Sequence, residues 1–250
     1  MFDSLGDRIK KNYENRSKTY LVRRMPVILR LDGKAFHTFT KHCNKPFDTE
    51  LKDAMVATAT ALLKNIQGAK LVYQQSDEIS VLITDYDSLS TDAWFDYNIQ
   101  KMCSIASAIA SVKFTLTYAG EETHLCDVDP AYFDCRAFNI PKEEVANYFL
   151  WRFNDWVRNS VAMVAQSHYS AKELHGKGNA EQHEMIFAKG QNWNDFESKW
   201  KNGTFLYYTD MSARNKEAFG EDVGHRTLTV GSLNIKELDV RNNFIDQFIN

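Results

Sequence analysis

Two short stretches decide the fold of this chain: residues 29–37, with the sequence LRLDGKAFH, and residues 75–81, with the sequence QSDEISV. In each stretch a carboxylate adjoins an apolar run that is typical of a buried strand, so that Asp32 follows one run and Asp77 precedes the other. Strands hold side chains rigidly, and two aspartates at neighbouring strand ends can converge on one position. Mg²⁺ prefers a few carboxylate oxygens and takes its other ligands from water and substrate phosphates, and two such ions about 3.5–4 Å apart assist phosphoryl transfer. The pattern therefore indicates nucleotide chemistry.

The order of elements through residue 140 predicts a split βαβ arrangement. A charged helix that leads into an extended segment covers residues 6–24. It is followed by a strand at 27–31, a helix that begins near Asp48 and ends before Gly68, strands at 70–73 and 79–83, a helix over 93–114 and a strand at 134–140. In this ferredoxin-like topology the end of the first strand lies beside the tip of the hairpin, so we expect Asp32 next to Asp77 and Glu78. The predicted fold class is α+β, with residues 1–140 forming an antiparallel sheet with helices on one face, as in the palm of polymerases and cyclases.

Residues 141–250 are predicted to form an extension of helices and a hairpin that packs on this palm-like core, so that the chain is a single compact unit. Pro141 starts a helix that reaches about Ala165, and residues 201–204 (KNGT) are typical of a hairpin turn whose return strand is 205–208. After about Thr209 the sequence is polar and weakly patterned, and it has no functional interpretation.

The composition favours a globular protein inside the cell. Of the 250 residues 44% are hydrophobic, the net charge is -3, and no run reaches the roughly 18 apolar residues that span a bilayer. The first residues lack the order of a signal peptide, and the four cysteines include no C-x-x-C pair, which indicates reduced thiols. We therefore expect a cytoplasmic protein with no membrane partner.

The segment up to Lys34 is locally basic, with nine Lys and Arg residues against four acidic ones. Such an excess could bind phosphates. A solvated helix face is the alternative interpretation and the plainer one.

Five short motifs in a fixed order resemble the tRNA-His guanylyltransferase-like family, whose members add nucleotides in the 3′-to-5′ direction. Residues 30–37 resemble the family's R-[IL]-D-G-x-x-F-H segment, and residues 75–78 match its Q-S-D-E hairpin tip. Lys45-Pro46, residues 133–136 (FDCR) and residues 151–155 (WRFND) are similar to the family's lysine-proline pair, F-D-x-R strand and W-R-x-x-D helix. The resemblance runs from about Gly6 to Tyr208, which is most of the chain.

The resemblance implies a site with two metal ions. Asp32 and Asp77 would ligate two Mg²⁺ ions together with the carbonyl oxygen of Gly33. Glu78 would support that site, so that the implied catalytic residues are Asp32, Asp77 and Glu78. ATP, GTP and other nucleoside triphosphates would be the substrates. The implied nucleotide-binding residues are Lys34, Ala35, Phe36, His37, Lys45, Ser76 and Lys101.

The resemblance also implies a surface that binds tRNA. Its residues belong to the W-R-x-x-D helix and the positions after it: Arg152, Asp155, Arg158 and Asn159. Ion pairs along one helix are the alternative interpretation of the charged residues among them, and Trp151 and Trp156 are expected in the core. Proteins of this family act as homo-oligomers, either dimers or tetramers.

One departure from the family pattern bears on the substrate. Members that recognise tRNA-His carry His-Ile-Asn-Asn after the W-R-x-x-D motif, whereas residues 157–160 here are VRNS. The resemblance therefore implies the bacterial and archaeal branch and template-dependent repair of 5′-truncated tRNAs. The alternatives are addition of a single G to tRNA-His, a palm-type nucleotide cyclase and a non-catalytic RNA-binding protein. A binding protein would not need both carboxylates and the adjoining lysines.

Overall fold

A computed structural model of the chain describes residues 4–120, 129–210 and 226–249. The described strands are β1 (Val27–Gly33), β2 (Ala69–Gln75), β3 (Glu78–Ile83), β4 (Phe133–Asn139), β5 (Thr204–Asp210) and β6 (Arg226–Gly231). The described α-helices are α1 (Leu5–Asn12), α2 (Phe36–Phe39), α3 (Thr49–Asn65), α4 (Ile99–Ala119), α5 (Lys142–His168), α6 (Ala171–Leu174), α7 (Asn179–Ala188), α8 (Ser198–Lys201) and α9 (Leu238–Asp246).

These strands form one sheet in the order β4-β1-β3-β2-β5-β6, and every neighbouring pair is antiparallel. The class of helices with an antiparallel sheet is as predicted, and β1 to β4 with α3 and α4 follow the predicted order along the chain. The register sets Asp32 of β1 opposite Glu78 of β3 on one side and Asp134 of β4 on the other. The end of β1 therefore lies beside the turn between β2 and β3.

Helices cover both faces of the sheet. Leu29 and Leu31 of β1 pack with α3 and α4 on one face. Ile28 of β1 and Leu82 of β3 pack with α5 and α9 on the other face, because alternate residues of a strand point to opposite sides. The expectation of helices on one face therefore describes α3 and α4 only, and the extension after residue 140 supplies the second layer.

Helix α4 begins at Ile99 rather than at residue 93, and it ends at Ala119. By length and composition alone it could cross a membrane. In the fold it packs against α3 and the sheet through buried residues that recur at helical spacing: Met102, Ala106, Ala110 and Phe114. A core helix is apolar for this reason.

The predicted hairpin turn at residues 201–204 is wrong. Helix α8 ends at Lys201, and the chain passes into β5, whose neighbours are β2 and β6. Gly203 has a φ of +69°, and a Cβ there would lie 2.7 Å from the hydroxyl oxygen of Tyr73 and 2.8 Å from the carbonyl oxygen of Gln74. This glycine therefore marks a close approach to β2, and the antiparallel strand pair of the extension is β5 with β6.

The chain after Thr209, whose sequence is weakly patterned, contributes β6 and α9. Ile245 of α9 is fully buried on the second face of the sheet. The ring centroid of Phe244 lies 5.2 Å from that of Phe205 and 5.4 Å from that of Tyr207. A few apolar residues are enough to fix this segment to β5.

The N-terminal segment is helical at its start, as predicted. Helix α1 ends at Asn12, a single 3-10 turn covers Glu14–Ser17, and none of these residues is buried. This exposure agrees with the interpretation of a solvated helix face. Cys43, Cys103 and Cys135 are free cysteines, and Cys126 lies outside the described residues.

Candidate functional site

The turn between β2 and β3 is joined to the end of β1 by a backbone hydrogen bond. Ser76 adopts a left-handed conformation with a φ of +48°, and the N–H of Gly33 donates to the carbonyl oxygen of Asp77 over 3.1 Å. A Cβ on Gly33 would lie 2.3 Å from the ring of Phe36, so only glycine fits between the turn and that ring. These contacts fix the end of β1, which carries Asp32, against the turn that carries Asp77.

The structure brings Asp32 and Asp77 together. Burial raises the pKa of the Asp77 carboxyl, and the negative charges of Asp32 and Glu78 raise it further. Among the described residues no Lys or Arg forms an ion pair with Asp32 or Asp77. Two carboxylates therefore face each other without a protein cation to neutralise them.

This donor set fits Mg²⁺ rather than a metal that needs several protein ligands. In the described part of the chain no three His, Cys, Asp or Glu side chains are close enough to hold a metal together. Mg²⁺ is usually bound through one or two carboxylates and completes its shell with water and substrate phosphates. Asp32, Asp77 and the carbonyl oxygen of Gly33 are hard oxygen donors of the kind that such a site requires.

Glu78 does not share the surroundings of the two aspartates. Its Oε1 accepts from Nε of Arg152 over 2.6 Å, and its Oε2 accepts from Nη2 of Arg152 over 2.7 Å and from Nε of Arg30 over 2.9 Å. Glu78 and Arg152 are only 4% and 5% exposed. Two guanidinium groups thus neutralise this carboxylate, which gives Glu78 a structural role, while its catalytic role stays a prediction.

The same contacts change the interpretation of the implied RNA-binding residues. Arg152 is buried against Glu78, so it is not available to RNA. Its Nη2 also donates to Asp155 over 3.0 Å, and Nη2 of Arg158 donates to the other oxygen of Asp155 over 2.5 Å. Ion pairs along α5, the alternative interpretation, are therefore present. Arg158 and Asn159 are exposed.

Four of the implied nucleotide-binding residues line one cleft of about 470 Å³. They are Phe36, His37, Lys45 and Ser76, and Asp77 lies in the same wall. The volume is in the range of small-ligand sites, roughly 300–1,000 Å³. His37 and Lys45 are exposed in this cleft, so the imidazole and the ammonium can reach a ligand that also contacts Asp77.

The loop that carries Lys45 is fixed by the start of α3. Asp48 is the N-cap of that helix, in agreement with the predicted start near this residue, and its Oδ1 accepts from the N–H of Leu51 over 2.9 Å. Its Oδ2 accepts from the N–H of Asn44 over 2.8 Å. The cleft wall therefore has a defined backbone although its lysine is solvent-exposed.

Three of the implied nucleotide-binding residues do not line the cleft. The ammonium of Lys34 lies 5.6 Å from the ring centroid of Tyr132, and Ala35 is the left-handed N-cap of α2 with a φ of +57°. Lys101 is in the first turn of α4, whereas the ring that contacts Phe36 belongs to Phe114. Thirteen residues of helix separate these two positions by roughly 20 Å, so Lys101 lies away from the cleft in this chain, and its role in nucleotide binding stays a prediction.

A buried polar network that the motifs did not indicate supports the turn. Nζ of Lys52 donates to Oε1 of Gln74 over 2.5 Å, and Nε2 of Gln74 donates to the carbonyl oxygen of Ser76 over 2.7 Å. Burial lowers the pKa of the Lys52 ammonium to about 7. The negative charge of Asp53 raises this pKa, but by less than burial lowers it. The sequence feature that could have indicated this buried lysine is its position one helical turn before Met55, which is buried.

Two further residues of the cleft come from α5. Met163 and Gln166 also line it. Since they are more than 80 residues from the β2–β3 turn in sequence, no local pattern could place them there. Trp156 is buried as expected, but Trp151 is 52% exposed, so the expectation of a core position for Trp151 is wrong.

Comparisons with known proteins agree on one family. The sequence model of the family described as "Thg1: tRNAHis guanylyltransferase" matches residues 7–141. The chain is similar to a bacterial tRNA(His) guanylyltransferase (Thg1)-like protein solved in complex with ATP, with 39% identity, a TM-score of 0.85 and coverage of 99% of both chains. The likeness to such a bacterial protein in complex with GTP is 38% identity with a TM-score of 0.80, again over 99% of both chains.

A curated relative is the probable tRNA(His) guanylyltransferase of Drosophila melanogaster, which is 26% identical over 197 residues. The match covers 72% of this chain and 66% of the Drosophila protein. The chain therefore spans just under two thirds of the length of that relative.

Proposed function

The chain belongs to the tRNAHis guanylyltransferase family, and from this premise we propose that it is a 3′-to-5′ nucleotidyltransferase that extends the 5′ end of tRNA. The observation that carries the proposal is the pair of unneutralised carboxylates, Asp32 and Asp77, at the wall of a cleft that also presents Lys45 and His37. The two aspartates form no ion pair with the protein, and an exposed lysine lines the same cleft. This combination suits a ligand that brings phosphates for the lysine and a metal for the carboxylates.

In the proposed reaction the 3′-hydroxyl of a nucleoside triphosphate attacks the activated 5′ phosphate of the RNA. A bond forms between that oxygen and phosphorus, and the activating group leaves. A 5′-monophosphate is first adenylylated by ATP, whereas a 5′-triphosphate is already activated. ATP and GTP are the ligands of the two similar bacterial proteins, which supports both as substrates here.

Asp32, Asp77 and the Gly33 carbonyl would hold two Mg²⁺ ions. When bound, Mg²⁺ supplies charge neutralisation and orientation for phosphoryl transfer. Lys45 would bind the triphosphate as a point charge, and His37 would donate to it from the same wall. Lys52 and Gln74 would keep the Ser76 carbonyl, and with it the turn, in one position.

The proposal includes a polymerase-type palm for β1 to β4. Support comes from the strand order β4-β1-β3-β2 and from the position of the two aspartates, one at the end of β1 and one in the β2–β3 turn. Fold alone does not set function, and the weight of this proposal lies on the carboxylates.

Template-dependent repair of 5′-truncated tRNA is the activity that we propose, because residues 157–160 lack the His-Ile-Asn-Asn of members that recognise tRNA-His. The first experiment uses a tRNA transcript without its first 5′ nucleotide, Mg²⁺ and each labelled triphosphate in turn. Incorporation of only the nucleotide that pairs with the template base supports repair. Incorporation of G alone, opposite any base and only on tRNA-His, would replace repair with maturation.

The same assay can overturn the whole proposal. The absence of incorporation into an RNA that already carries a 5′-triphosphate would contradict a nucleotidyltransferase acting on RNA. A cyclic product formed from triphosphates alone would assign the site to a cyclase.

A homo-oligomer, either a dimer or a tetramer, is part of the proposal, as is a cytoplasmic location. Ile105, Val112 and Leu116 of α4 are exposed, and their spacing places them along one side of the helix. Such a stripe supports contact with a second copy of the chain. Light scattering of wild type and of Val112→Glu tests it: the variant should be smaller, and an unchanged mass would contradict α4 as the interface.

A further inference from the structure

Trp151 is a rigidly held aromatic ring at the protein surface. Its side chain is 52% exposed, although indole rings are usually well buried. The guanidinium carbons of Arg152 and Arg30 lie 4.5 Å and 5.6 Å from its ring centroid, and Tyr148 meets it edge-on at 5.9 Å. Both guanidinium groups are themselves fixed by Glu78. The exposed indole therefore packs against two arginines whose positions are fixed by Glu78.

Trp151 is connected to Asp32 through Arg30 of β1. Its neighbour Arg30 precedes Asp32 by two positions on β1, which places the two on the same sheet face and about 7 Å apart along the strand. The cleft that contains Lys45 is reached by α5 at Met163, which is twelve residues, or roughly 18 Å of helix, beyond Trp151. The cleft and the exposed indole therefore lie at different points along α5.

Cationic side chains border the indole. Arg136 of β4 is paired in register with Arg30 and is exposed, in a loose ion pair with Asp134 at 3.6 Å. Arg158 follows Trp151 by seven residues on α5, which puts both on one side of the helix, and its side chain is 65% exposed. An aromatic ring with guanidinium groups nearby is the arrangement that binds single-stranded nucleic acid by stacking and by phosphate contacts.

We propose that Trp151 is the stacking surface for a nucleobase of the RNA substrate near its reacting 5′ end. This inference rests on the proposed function, since it takes RNA as the substrate. A nucleobase could come from the RNA or from the nucleoside triphosphate. The cleft with Lys45 and His37 accounts for the triphosphate, so the indole is assigned to the RNA. In this arrangement Arg152 positions the ring, and Arg158 with Arg136 faces the phosphates.

The test compares Trp151→Leu, which keeps apolar bulk without an aromatic face, with Trp151→Phe, which keeps a ring. Phe187→Ala, which removes a 67% exposed ring on α7, is the matched control. The measurements are the Kd of the truncated tRNA by fluorescence anisotropy in EDTA, and the KM for tRNA and for GTP with Mg²⁺. Loss of one stacked base weakens binding by about tenfold.

The expected result is a Kd and a tRNA KM about tenfold higher for Trp151→Leu, values within about threefold of wild type for Trp151→Phe, and no change in the GTP KM. An unchanged tRNA Kd for Trp151→Leu overturns the inference. A rise in the GTP KM alone would assign the base to the triphosphate, and a change of mass in light scattering would assign the ring to a second copy of the chain; either result also overturns it.

These outcomes separate the inference from the proposed function. If wild type adds nucleotides and binds tRNA but Trp151→Leu does so equally well, only the stacking surface is wrong. If wild type neither adds a nucleotide nor binds tRNA, the proposed function fails and the inference fails with it. If the variants melt at the same temperature as wild type, a weaker Kd is not a folding defect. Trp151→Phe provides the folded comparison if Trp151→Leu is unstable.

Discussion

Asp77 and Glu78 are neighbours in one turn, yet their carboxylates have opposite surroundings. Asp77 lies next to Asp32, with burial and that negative charge raising its pKa and no ion pair to neutralise it among the described residues. Glu78 accepts three hydrogen bonds from Arg152 and Arg30 in a buried cluster. One carboxylate is prepared for a cation that comes from outside, and the other is already neutralised.

The balance of charge distinguishes a carboxylate that can bind a ligand from one that stabilises the fold. An unneutralised, half-buried carboxylate pair is costly unless it binds something, so its presence indicates a ligand. A carboxylate held bidentately by a buried arginine is satisfied within the fold. The same turn therefore connects the candidate metal site to the cluster that holds α5 on the sheet.

The largest effect is expected from removing the unneutralised charge. Asp77→Asn should lower kcat for nucleotide addition by about 10³-fold, because several kcal/mol of transition-state stabilisation depend on the bound cations. The unfolding free energy without Mg²⁺ should not fall, since the change relieves repulsion with Asp32. Single-turnover kinetics and urea unfolding measure the two quantities, and near-normal addition by this variant would exclude Asp77 as a metal ligand.

Breaking the neutralised pair should instead cost stability. Arg152→Met leaves Glu78 buried with one partner fewer, and it should lower the unfolding free energy by about 3–5 kcal/mol. Arg158→Met on the same helix removes only an exposed ion pair, for which a loss below about 1 kcal/mol is expected. Equal effects of the two variants in urea unfolding would show that the buried cluster does not hold α5 in place.

The cleft should respond to the loss of Lys45 through binding. Lys45→Ala should raise the KM for GTP by about tenfold, as expected for one charge-assisted hydrogen bond, and leave the unfolding free energy unchanged. Lys101→Ala at the far end of α4 is the control and should leave that KM unchanged. A larger effect at Lys101 than at Lys45 would mean that the triphosphate lies elsewhere.

Lys52 offers the smallest and most specific change. Its pKa of about 7 lies below the ordinary 10.5, so between these values the unfolded chain binds the proton more tightly and stability falls as the pH is lowered from 10 to 7. Lys52→Met removes this dependence and should gain more stability, relative to wild type, at pH 7 than at pH 9.5. Lys64→Met, an exposed lysine on the same helix, should show no such difference in urea unfolding.

Local patterns predicted the parts of the site that local structure determines. The strands around Asp32 and Asp77, their convergence and the Asp48 cap follow from hydrophobic runs, turn residues and the order of elements. The position of Lys101 also follows from topology, although the motifs pointed elsewhere. Because β3 runs away from the turn, the helix after it begins at the far end of the sheet.

Contacts between distant segments could not be predicted in this way. Glu78 and Arg152 are 74 residues apart, and their pairing depends on how α5 crosses the second face of the sheet. Once that face is known, the buried positions Phe149, Phe153 and Trp156 place Trp151 on the flank of the helix. The segment after Thr209 was missed because the few apolar residues that fix it to β5 leave only a weak pattern in the sequence.

The most direct test of the difference between the two carboxylates is the thermal shift that GTP produces with Mg²⁺ and with EDTA. We expect GTP to raise the Tm of wild type only when Mg²⁺ is present. The Asp32→Asn, Asp77→Asn double variant should lose this shift, whereas Glu78→Gln should melt at a lower temperature but keep it. A shift that persists in the double variant, or one that Glu78→Gln alone abolishes, would contradict the division of roles between Asp77 and Glu78.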